Sequence, residues 1–199
     1  MRKIYLIRHG ETNSNNDRKF QGRIDTPLNI TGIEQARKLA AYMKQFPLDA
    51  IYCSIMQRAR MTAEPLAVAM GLSVNYVKEF REVSFGDWEG LTYWEIKEKW
   101  SKEINLFFAK PAEFVPPRGE TFQEVQDRSF GALNKILKEQ DGNIAIISHG
   151  GVIRALICQL LNMPLNSFWK INIYNASVSV FGGNDGNFIA EIINDSHYL

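Results

Sequence analysis

Two histidines in this chain each follow a short apolar run and precede a glycine. Ile4-Tyr5-Leu6-Ile7 leads into Arg8-His9-Gly10, and Asn143-Ile144-Ala145-Ile146-Ile147 leads into Ser148-His149-Gly150-Gly151. The third of the three histidines, His197, lies near the carboxyl terminus and is read as a frayed end with no chemical part. A neutral imidazole can attack an electrophile or take a proton. A guanidinium at the end of a buried strand needs an anion, because an unpaired buried cation is costly. Arg8 is therefore expected to meet one. Arg58, early in a later helix, would approach from the same sheet edge, and two guanidinium forks suit a carboxylate or a phosphate. Gly150 and Gly151, at a helix start, would add backbone donors for the same anion. Glu82, in the loop after the third strand, is the carboxyl group placed to protonate a leaving oxygen and then activate water.

Metal chemistry fits this set poorly. There is no His-Glu-x-x-His pattern and no paired cysteine motif, and the flanking arginines would repel a divalent cation. Nucleophilic phosphoryl transfer by histidine, with no metal and no cofactor, fits better. Singly, each residue has a blander reading: a loop histidine, a surface arginine, a solvated glutamate. The joint placement of the two histidines carries the argument.

The elements that must position these groups alternate. Ile4–Ile7, Asp49–Cys53, Ser73–Val77 and Asn143–Ile147 read as buried strands separated by helical patterns, which predicts parallel βαβ units. Ligands in such sheets bind at the carboxyl ends of the strands, where His9 and His149 sit. The polar stretch 13–23 reads as a loop. Thr31 with Glu34, and Thr121 with Glu124, are capping-box patterns opening helices. Ser54 is expected to cap a helix from about Met56 to Met70, closed by Gly71. Thr92 and Glu95 open a helix bearing Trp94 and Trp100, and Pro111, Pro116 and Pro117 then break the chain. That segment, about 92–120, reads as a helical lid-like insertion. Residues 176–181 and 188–193, about a Gly182–Gly186 turn, read as a terminal hairpin.

Bulk properties exclude other classes. A chain of 199 residues with formal net charge +1 has no global field for nucleic acid or an anionic membrane. No apolar run is long enough to span a membrane, and the amino-terminal run is too short for a signal-peptide core, so a cytoplasmic protein is expected. Cys53 and Cys158 are read as buried free thiols.

The motifs resemble those of the histidine phosphatase superfamily over nearly the whole chain. Arg8-His9-Gly10-Glu11-Thr12 with Asn15, Gln21-Gly22, Ser54 with Arg58-Ala59, Glu82 with Gly86-Asp87-Trp88-Glu89-Gly90, Ser148-His149-Gly150-Gly151 and Asn175-Ala176-Ser177 occur in the family's order. The resemblance implies one domain over residues 1–199 with a phosphoglycerate mutase-like fold. That fold is a three-layer α/β/α sandwich on a six-stranded, mostly parallel sheet. It implies His9 as the phosphorylated nucleophile and Glu82 as proton donor. Arg8, Arg58 and His149 would hold the phosphoryl group, with hydrogen bonds from Asn15 and the backbone near Gln21 and Gly22. The ligand would be a small phosphorylated metabolite, and a homodimer is left open. The short acid loop resembles the phosphatase branch, nearest to the α-ribazole-5′-phosphate phosphatases of cobalamin assembly. Arg118 and Thr121 depart from those enzymes, and an extra guanidinium near the pocket mouth would favour a more anionic substrate. The alternatives are a cofactor-dependent phosphoglycerate mutase, a sugar bisphosphatase, or a non-catalytic protein that binds phosphorylated ligands.

Overall fold

Continuous apolar runs make strands that are buried on both faces, and the first and fourth strands show it. In the computed structural model, which describes every residue except Asp185, β1 (Arg2–Arg8) lies beside β4 (Ile144–Ser148) in parallel register. Ile4, Leu6, Ile144 and Ile146 enter one core, while Tyr5, Ile7, Ala145 and Ile147 enter the other. The two cores are the two faces of one sheet.

Among the described residues that sheet has six strands, in the order β3-β2-β4-β1-β5-β6. The others are β2 (Ala50–Ser54), β3 (Val74–Val77), β5 (Val178–Asn184) and β6 (Asn187–Asp195). β5 runs against both its neighbours, and the remaining strands share one direction. Helices α2 (Ile30–Met43) and α3 (Gln57–Met70) pack on the face of Tyr5 and Ile7. Helices α6 (Phe122–Glu139) and α7 (Gly150–Leu160) cover the face of Ile4 and Leu6. The expected α/β/α sandwich is what forms. Asp185, in the turn expected between the last two strands, lies outside the described residues.

Local signals resolve differently at several places. The polar stretch after β1 holds a short helix, α1 (Asn13–Asn16), capped by Thr12, which accepts from the Asn15 backbone. Asn29, not Thr31, caps α2: its Oδ1 accepts from Gly32 N at 2.8 Å. Ser54 ends β2 and does not cap α3. The cap residue is Met56, whose N–H reaches Ser54 Oγ at 3.3 Å. Thr92 and Thr121 form the expected capping boxes at the starts of α4 (Tyr93–Lys99) and α6. His197 is not a loose end, because its Nδ1 lies 2.6 Å from Asp195 Oδ1. Cys53 and Cys158 are buried free thiols, as expected.

The insertion has two characters. Trp94 on α4 is 71% exposed, whereas Ile104 and Phe107 on α5 (Ser101–Ala109) are buried in the sheet's own core. No described helix is long and apolar enough to cross a membrane.

Candidate active site

Register brings the two histidines together. In the parallel ladder Arg8 pairs with Ser148, so the next residue on each strand stands beside its counterpart. The His9 and His149 rings lie with centroids 5.1 Å apart. His9 N donates to Ser148 O at 2.9 Å, which ties the two strand ends directly. The His9 carbonyl accepts from Ala176 N and Asn175 Nδ2, both at 3.1 Å, so its backbone is held from several sides.

The hydrogen bonds set each tautomer. His9 Nδ1 lies 2.7 Å from Gly10 O, and a carbonyl only accepts, so Nδ1 carries the proton. Its Nε2 is left with a bare lone pair. His149 is the reverse case. Arg58 Nε donates to its Nδ1 at 3.2 Å, so the proton sits on Nε2, which meets Ser54 Oγ at 2.8 Å. Burial first, and then the Arg58 and Arg8 guanidiniums, push His9 well below the ordinary histidine range. Burial and Arg58 do the same to His149. Both rings are therefore neutral at physiological pH.

The arginines differ in how far they are committed. Arg58, on the first turn of α3, spends its fork on protein: Nη2 on Gly22 O at 2.8 Å and Nη1 on Ile24 O at 3.0 Å. Burial lowers it to about 10, which leaves it a cation at neutral pH. Arg8 Nη1 donates to Ile173 O at 2.7 Å, but its buried Nε has no partner among the described residues. An orphaned buried guanidinium N–H beside a bare imidazole nitrogen is the chemistry of an anion site.

Glu82 reaches this point from the loop after β3. Its carboxylate accepts from Val83 N at 2.9 Å and from Gly151 N, in the first turn of α7, at 3.3 Å. Arg128 Nη2 holds the Glu82 carbonyl at 3.2 Å. Glu89 joins this loop to the next, since its Oε1 accepts from Phe85 N at 3.0 Å and Arg23 N at 3.1 Å. Gly22, with φ +51°, has no room for a side chain, because a Cβ there would lie 2.6 Å from Glu89 Cδ. Asn15 Oδ1 accepts from Thr12 N and Asn175 Nδ2, both at 3.1 Å, so its amide N–H₂ is free to donate. The Gln21 side-chain amide donates to Thr26 Oγ1.

Arg8, His9, Asn15, Gln21, Gly22, Arg58 and Glu82 all border one cleft of about 260 Å³. His149 and Gly150 do not border it. His149 is fully buried behind His9 and Arg58, and Gly150 lies under the Arg8 side chain. Arg118 stands away from this cleft as well, donating to Asp87 Oδ1 through Nε at 2.6 Å. Phe85 from the acid loop and Phe107 and Phe108 from the expected lid-like insertion border the cleft too, together with Trp169, which no sequence signal pointed to. Trp169 is fixed there by its Nε1 donating to Phe107 O at 2.6 Å. It lies in a 3-10 stretch, Leu165–Lys170, with no periodicity to announce it. No group of three or more potential metal ligands occurs among the described residues.

The profile of the histidine phosphatase superfamily, branch 1, matches residues 4–196. The chain belongs to that superfamily. Phosphoserine phosphatase 1 of Hydrogenobacter thermophilus is 33% identical over 183 residues, covering 90% of this chain and 86% of its own. The adenosylcobalamin/alpha-ribazole phosphatase of Escherichia coli K12 is 31% identical over 172 residues, covering 86% of this chain and 85% of its own. The solved structure of Bacillus stearothermophilus YhfR superposes with a TM-score of 0.93 at 32% identity, covering 100% of this chain and 99% of its own. This histidine phosphatase is a phosphoric monoester hydrolase with a phosphoglycerate mutase-like fold.

Proposed function

We propose that the protein hydrolyses a small phosphorylated metabolite through a phosphohistidine at His9, without a metal. The observation that carries this reading is the bare Nε2 of His9, left free by the Nδ1 bond to Gly10 O, facing a cleft that also holds Arg8 and Arg58. His9 Nε2 attacks phosphorus and the P–O ester bond breaks. Glu82 gives its proton to the departing alcohol oxygen. A water molecule then attacks the phosphoryl group, Glu82 takes a proton from it, and the P–N bond breaks. Arg8 and the Asn15 amide hold the equatorial oxygens through both steps. His149 acts from behind, orienting Arg58. The α4–α5 segment serves as a lid-like wall over the alcohol half.

The aromatic wall and the likeness to an alpha-ribazole phosphatase support α-ribazole 5′-phosphate as substrate, because its benzimidazole offers a flat face for Trp169 and the exposed Phe108. The test is a chase of labelled substrate into protein. An acid-labile, alkali-stable phosphoprotein is expected in wild type and none in His9→Ala, with activity unchanged by chelator. Full turnover by His9→Ala would end the reading.

A further inference from the structure

Arg18 occupies a position that usually belongs to glycine. It follows the cap residue of α1, Asp17, with φ +55°. Lys19 N donates to Ser14 O at 2.9 Å and Arg18 N to Asn15 O at 3.1 Å. These two bonds close a Schellman turn, whose left-handed residue is commonly glycine because a Cβ crowds the backbone there. A non-glycine residue kept in that region is strained, and such strain concentrates where a side chain has work to do. Arg18 borders the same cleft as His9 and Trp169, and its guanidinium has no hydrogen-bond or ion-pair partner among the described residues. His9 is 2% exposed whereas Arg18 and its neighbour Lys19 are exposed, so the cleft runs from a buried nucleophile to two cations at its rim, of which Arg18 alone carries a planar fork.

Resting on the phosphatase reading above, we propose that Arg18 is a specificity-determining residue. Its guanidinium takes a second oxyanion, such as a carboxylate, carried by the alcohol half of the phosphoester. A planar fork recognises a carboxylate in bidentate fashion, which glycine in the same turn could not do. α-Ribazole 5′-phosphate, whose ring is neutral, is then the reference member of the class, and a ring-bearing ester with an added carboxylate is preferred over it.

The experiment compares phenyl phosphate with 4-carboxyphenyl and 4-(2-carboxyethyl)phenyl phosphate. Each is titrated calorimetrically into His9→Ala protein, with Arg18 intact and with R18Q or R18K, so that binding is read without turnover. With Arg18 intact, at least one carboxylated ester should bind about fivefold tighter than phenyl phosphate. R18Q should remove that preference and R18K should keep part of it. Equal affinities with Arg18 intact, or the same preference in R18Q, would overturn the inference and leave the phosphatase reading standing. If wild-type protein turns over none of the three esters, the phosphatase reading falls, and the binding ratios still decide the role of Arg18.

Discussion

Arg58 Nε meets His149 Nδ1 at 3.2 Å, and this contact decides where the proton on His149 sits. The same guanidinium anchors the Gly22 and Ile24 carbonyls, so one side chain fixes a ring tautomer and a loop together. Lysine cannot reproduce three donors in a fixed plane. R58K should therefore lower kcat/KM by about 100-fold or more, roughly 2.7 kcal/mol of transition-state stabilisation. It should also cost about 2 kcal/mol of stability through the carbonyls left without donors. Steady-state kinetics and urea unfolding of the same preparation check both.

The neutral histidines make stability depend on pH with a definite sign. His9 and His149 are held well below the ordinary range by burial and the neighbouring arginines, so the folded protein does not protonate them near pH 6. The unfolded chain does, at about 6.5. Stability conferred by these neutral rings is present above about 6.5 and is lost as pH falls toward their folded values. With two such groups the limiting slope is about 2.7 kcal/mol per pH unit. Urea midpoints at a series of pH values from neutral to mildly acidic should fall accordingly, and His9→Asn should flatten the slope by about half. A midpoint constant across that window would mean that the folded protein protonates the rings as readily as the unfolded chain does.

How much of this was legible beforehand depends on the kind of signal. The runs Ile4–Ile7 and Ile144–Ile147 announced doubly covered strands, and a glycine after each histidine pointed to the sheet edge where the two rings meet. Thr92 and Thr121 were readable because their Glu partners stand three residues on. Asn29 was not, since Thr31 with Glu34 offers an equally good pattern and only the backbone geometry chooses between them. α1 is four residues long, too short for any periodicity to show. Trp169 reaches the cleft through a non-periodic turn, so only tertiary packing reveals it. Arg18 looked like one charge in a polar loop until its φ was known.

Gly151 sets the position of Glu82. A Cβ on Gly151 would lie 2.5 Å from Glu82 Oε1 and from Val83 Cγ2. Contacts that short force one partner to move, and the carboxylate is the freer of the two. Gly151→Ala should swing Glu82 off the Gly151 N–H and away from the leaving oxygen. The expected signature is a loss in kcat of about 10-fold to 100-fold with KM nearly unchanged, as for removal of a general acid. Aryl phosphates with good leaving groups need less protonation, so the loss should shrink along a series of more acidic phenols. A uniform loss across the series would place the effect elsewhere.

The aromatic wall makes a separate prediction about substrate choice. Trp169 is locked by its bond to Phe107 O and packs against the Phe107 ring at 4.6 Å between centroids. A wall fixed in advance contributes to binding without being ordered when the ligand arrives. Stacking on such a face is worth about 0.5–1.5 kcal/mol beyond buried area. Trp169→Ala should therefore raise KM for α-ribazole 5′-phosphate or an aryl phosphate by about 5-fold to 10-fold. Glycerol phosphate, which has no ring to stack, should lose less than half as much on the same logarithmic scale. Arg154 lies over the same indole at 5.1 Å, so part of any loss could come from a loosened Arg154 rather than from the missing ring. Trp169→Phe separates the two, since it keeps a face for both the guanidinium and the substrate and should recover most of the ring-bearing activity. If glycerol phosphate and the ring-bearing esters lose equally in Trp169→Ala, the wall does not read the alcohol.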